Sequence, residues 1–150
     1  MPGIPVWAQL ALVVVVVVLA FLLFRFVSHD KIEAILKKRR STSVLATSAE
    51  FVEGPTHIEV ALYLDATKLH YESPDIEPAY LELKNVDEVE YDTDLATGGR
   101  KVEGEVLRLR SHGRKFEFVV AKEDAGKWKA KLPKHRVDDP GNVHSEGATA

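Results

Sequence analysis

Six histidines, His29, His57, His70, His112, His135 and His144, are the side chains best suited to proton transfer or metal binding. They are scattered without ligand spacing, so a zinc site is not expected. His112 lies in Ser111-His112-Gly113-Arg114 and is explained as a turn residue. Asp87 and Glu88 with Glu90 read as a polar strand edge and are not expected to act as an acid/base pair. The chain has no cysteine nucleophile, and neither a G-x-S-x-G elbow nor a phosphate-binding glycine loop nor a dinucleotide fingerprint occurs. Catalytic, cofactor-binding and metal-binding residues are therefore not expected, and the protein is expected to be non-enzymatic.

Charge offers a different chemistry. From Leu45 to Gly99 thirteen acids face two bases, whereas from Arg100 to Arg136 twelve bases face five acids. Two outcomes fit this split. The acidic strands pair internally with the basic final hairpin and helix, or the basic part faces outward. In the second case Arg108, Arg110, Arg114, Lys127, Lys129 and Lys131 form a patch for anionic lipid or an acidic partner. Nucleic acid is not expected, because no recognition module is visible and the whole part after the apolar run is acidic.

The elements that must position these groups begin with an apolar run, Ile4 to Phe24, whose one polar side chain is Gln9. As a helix at about 1.5 Å per residue the run is roughly 31 Å long, the thickness of a hydrocarbon core. Fifteen of its positions are Val, Ile, Leu or Phe. Together they favour insertion by about 5 to 9 kcal/mol. The β-branched run Val13 to Val18 disfavours a helix in water, but in lipid only a helix satisfies the backbone of a lone segment. A cleaved signal peptide would need a positive n-region and a small-x-small site, and the flanks Met1-Pro2-Gly3 and Phe24-Arg25-Phe26-Val27 offer neither. The positive charge after the run predicts an outside N-terminus and a cytoplasmic remainder.

Ser28 to Arg40 carries a helical signature, with Ser28 able to cap, Asp30 and Glu33 early and Lys37, Lys38, Arg39 and Arg40 late, and it reads equally as a helical extension of the apolar run. Those four bases are candidates for contact with anionic lipid, or simply set the topology. Ile32, Ile35 and Leu36 share a face. Ser41 to Ser48 is expected to be a polar link.

Beyond it, alternation predicts strands over 57–64, 69–72, 79–84 and 86–91, an exposed loop over 92–101, and a hairpin with arms at Val106 to Leu109 and Phe116 to Val120. Ala121, Ala125, Trp128 and Leu132 then recur at helical spacing up to Pro133, with Trp128 as a core residue.

The segments HIEVALYLDATKLHYES and YLELKNVDEVEY, the hairpin EVLRLRSHGRKFEFVV and the final helix with Trp128 together resemble a pleckstrin-homology-like domain. The likeness is to the broad class that includes GRAM and bacterial membrane-anchored variants. Leu83 to Val89 resembles the segment that follows the first strands there. The resemblance covers about Glu50 to Pro133 and implies a mainly β fold: a small antiparallel barrel capped by a C-terminal α-helix. Members often bind headgroups through bases in the loop joining the first two strands. Here that loop is expected at Glu50 to His57, which has two acids and no lysine or arginine. Phosphate recognition there is disfavoured.

The expected organisation is a transmembrane helix at 4–27, a basic stem and linker at 28–43, the barrel with its helix at 44–136 and a disordered tail at 137–150. The expected function is a membrane-anchored, cytoplasmic interaction domain that docks a protein partner or its own copies at the inner membrane face. The alternative is a lipid-sensing module that uses the basic hairpin and helix.

Overall fold

In a computed structural model, which describes residues 3–96 and 101–137, the chain is one long helix followed by a curled antiparallel half-barrel and a short helix. Helix α1, Val6–Arg40, is continuous. The stem therefore extends the apolar helix, and Ser28 does not cap a new one, because nothing in Phe24-Arg25-Phe26-Val27 interrupts backbone hydrogen bonding. Large apolar side chains from Val6 to Val27 are 48–73% exposed on every face of α1, which is long and apolar enough to cross a membrane.

Eight strands follow: β1 Leu45–Glu53, β2 Thr56–Leu64, β3 Lys68–Ser73, β4 Ile76–Glu82, β5 Val86–Asp94, β6 Lys101–Ser111, β7 Arg114–Val120 and β8 His135–Arg136. Helix α2, Lys122–Lys131, precedes β8. The sheet order is β4-β3-β2-β1-β7-β6-β5-β8, so β1 joins the two meanders. The mainly β class and the closing helix match the sequence expectation.

Strand β1 is the main departure from that expectation. It takes in residues assigned to the polar link, Leu45 to Ser48, and residues assigned to a loop, Glu50 to Glu53. The connection between the first two strands shrinks to Gly54-Pro55, where Gly54 holds a φ of 57°. The cause lies on the inner face of β1, where Thr47, Ala49 and Phe51 point into the core. Thr47 is buried because its hydroxyl accepts a hydrogen bond from Trp128 Nε1 at 2.9 Å. A polar residue turned inward breaks the alternation by which a strand is recognised.

Ala125 and Trp128 from α2, with Leu132 just after it, fill the half-barrel among Leu62, Leu107, Phe118 and their neighbours, while Ala121 is exposed before the first turn. The Tyr91 hydroxyl donates to the Leu132 carbonyl at 2.6 Å and ties the end of α2 to β5. Gly104 in β6 has a φ of 144°, and a Cβ there would collide with the Val120 carbonyl oxygen. The β6–β7 turn places both His112 and Gly113 at positive φ, as a tight two-residue hairpin demands. Strand β5 runs on to Asp94, so the expected loop shortens, and its residues 97–100 lie outside the described residues. The tail assigned to 137–150 also lies outside them, Val137 excepted.

Candidate functional site

The outer face of the sheet carries most of the interactions with functional content, and the first belongs to the end of α1. Ile32 and Leu36 are 1% and 0% exposed, packed on Ala61 of β2 with Ile35 and Ala46 beside them. Alanine at positions 46 and 61 leaves room for the helix to lie close to the strands. Polar contacts fix both ends of this seam. His29 Nδ1 meets Glu59 Oε1 at 2.9 Å, and Arg39 Nη2 meets Glu72 Oε2 at 3.3 Å. The Arg39 guanidinium also lies 5.3 Å from the Tyr63 ring centroid.

A chain of contacts runs on from there. Tyr63 donates to Glu72 at 3.1 Å and stacks on His70 with centroids 4.8 Å apart. His70 Nε2 reaches Asp65 Oδ2 at 2.6 Å. Burial pushes the Asp65 carboxyl up, but hydrogen bonds from the Thr67 and Lys68 amides and the His70 ring outweigh it. The net result holds Asp65 down at about 2. The hydrogen bond from His29 to Glu59, with the negative charge of that carboxylate, raises the His29 pKa. Burial raises Tyr63.

Of the four juxtamembrane bases, Lys37, Lys38 and Arg40 are exposed, with Arg40 3.7 Å from Glu33. Arg39 is turned onto the sheet. The six residues of the suggested anionic-partner patch lie on β6, the β6–β7 turn and α2, and most have acidic partners in the chain. Arg108 holds Glu90, Asp92 and Glu117 at 3.4, 3.3 and 3.2 Å and donates to the Asp94 carbonyl. Burial opposes the Arg108 charge, yet the bond to Glu117 and its neighbours prevails and its pKa is raised. Glu117 in turn accepts the Ala96 amide, which draws Leu95 over Val52 and Val106. Arg110 pairs with Glu88, Lys127 with Asp124 and Lys129 with Glu105. Arg114 lies over Phe116, and Lys131 is exposed with no ion pair among the described residues.

Three histidines each sit against one carboxylate: His29 on Glu59, His57 on Glu50 and His70 on Asp65. Among the described residues no group of three or more His, Asp or Glu is placed to hold a metal ion. The pairings of α1 with the sheet escape sequence reasoning, since their partners lie about 30 residues apart. The shared face of Ile32, Ile35 and Leu36 is the one local signal of that seam.

Where α1 leaves the sheet, a groove of about 970 Å³ opens between the helix and the outer face. Its helix wall is Phe21, Leu22, Phe24, Arg25 and His29, and its sheet wall includes Glu50, Glu59, Asp75 and Glu103. No protein-family model matches the chain, and no curated protein matches it either.

Proposed function

We propose that the chain is a single-pass membrane protein of bacterial type that presents a pleckstrin-homology-like interaction domain to the cytoplasm. There it docks a protein partner, or further copies of itself, at the inner membrane face. One observation carries this reading: the helix whose first half is apolar on all faces buries Ile32 and Leu36 of its second half in the domain. An anchor that is also part of the fold holds the domain at a set height and orientation. Such a mount suits a surface that must meet a partner in one geometry. The bases after the apolar run support an outside N-terminus. The curled antiparallel sheet with α2 packed inside is compatible with the pleckstrin-homology-like fold.

Lipid sensing through the basic hairpin and helix is the weaker reading. Four of the six bases it needs are held by acids of the same chain. A surface suited to protein contact is the edge strand β4, where Tyr80 is 53% exposed with Lys68 Nζ 4.2 Å from its ring centroid. A photo-crosslinking side chain at Tyr80 of the full chain in native membranes should give a discrete protein adduct, hetero-oligomeric or a dimer. Lipid adducts alone at Tyr80, with strong lipid adducts at Lys131, would favour the sensing reading instead.

A further inference from the structure

We propose that the groove between α1 and the outer face of the sheet binds one phospholipid with a primary-amine headgroup, of the phosphatidylethanolamine type. The proposal rests on α1 spanning a bilayer. A hydrocarbon core of about 30 Å takes up roughly 20 residues from Ile4, which brings its edge to Leu22–Phe24. The groove thus straddles the boundary between tails and headgroups.

The groups lining it follow the order of a phospholipid along the membrane normal. Phe21, Leu22 and Phe24, 48–68% exposed, give an apolar wall at the depth of the upper tails. Arg25 is the first charge of the helix, and it makes no ion pair among the described residues. Its guanidinium stands at phosphate depth, and its planar fork suits two phosphate oxygens. His29 lies four residues on, about 6 Å further along the axis. Its partner Glu59 keeps a second carboxylate oxygen able to accept from a donor. Asp75 and Glu103, also in the sheet wall, have no ion pair among the described residues.

Carboxylates beyond a lone guanidinium complement an ammonium beyond a phosphate. A glycerol headgroup would bring no positive charge to Glu59 and Asp75. A choline headgroup brings charge but no N–H donor. The primary amine alone satisfies both.

The test is retention of lipid by the full chain, purified from bilayers with equal parts of the ethanolamine, glycerol and choline lipids and analysed by native mass spectrometry. The ethanolamine lipid should be retained at least about threefold over either competitor, the ratio one or two added hydrogen bonds supply. The paired substitution Glu59→Gln and Asp75→Asn should abolish that preference. Arg25→Gln, outside the folded core, should lower retention of all three lipids. Equal retention by the parent chain, a preference that survives the paired substitution, or unchanged retention in Arg25→Gln would each overturn the groove while leaving the anchor intact. Release of the chain from membranes by alkaline carbonate would instead overturn the anchor, and the groove with it.

Discussion

Asp65 organises the β2–β3 turn: its carboxylate accepts from the amides of Thr67 and Lys68 and meets the His70 ring. Its pKa falls from 3.8 to about 2 on folding, so its contribution to stability is complete above the unfolded value. That contribution is lost as pH falls through the folded one. Acid titration of the full chain in detergent should show part of its stability loss between pH 3.8 and about 2. Asp65→Asn should remove that part, and an unchanged acid limb would refute the role. Trp128, with no exposed surface, fills the half-barrel. Trp128→Ala should cost about 3–5 kcal/mol in chemical denaturation. Trp128 was legible because Ala125, Trp128 and Leu132 recur at helical spacing before a proline. Its partner Thr47 was not, because what makes a hydroxyl turn inward is a donor 81 residues away.

Between elements, the seam of α1 on β1, β2 and β3 decides whether the helix and the domain move as one. Leu36→Ala should destabilise it by about 2–5 kcal/mol. The readout is faster amide exchange over residues 28–40, with β6 and β7 little changed. The His29–Glu59 pair makes the seam sensitive to pH. Because the folded pKa of His29 lies above 6.5, its contribution is complete below 6.5 and is lost as pH rises through the raised value. The thermal midpoint should therefore fall more steeply above pH 6.5 in the parent chain than in His29→Gln. Equal slopes would show that the pair does not hold the helix. The strands with regular alternation, β2, β3, β5 and β7, could be read from the sequence to within a few residues. Strand β1 could not, since its small and polar residues follow the demands of α1 outside and Trp128 inside. The basic residues were visible as a cluster in sequence, but the acidic partners of Arg108 and Arg110 lie on neighbouring strands, and only the register of β5, β6 and β7 brings them together.

At the scale of the molecule, the apolar run and the domain are one continuous mechanical unit. Helix α1 passes from Val6 to Arg40 without a break, and α1 runs in the same direction as β2, with His29 beside Glu59 and Arg39 beside Tyr63. A domain mounted this way has little freedom to tumble above a bilayer, which is the basis for the proposed docking role. The chain contains no cysteine, so spin labels can be placed at will. Labels at Val15 in the apolar half and at Ala66 in the exposed β2–β3 turn are separated along the axis by about 44 Å, within reach of pulsed electron resonance. Measured on Val15→Cys, Ala66→Cys full chain in lipid nanodiscs, the distance distribution should be single and narrow. A broad or two-peaked distribution would mean that α1 bends between its halves or leaves the sheet, and would contradict the rigid mount.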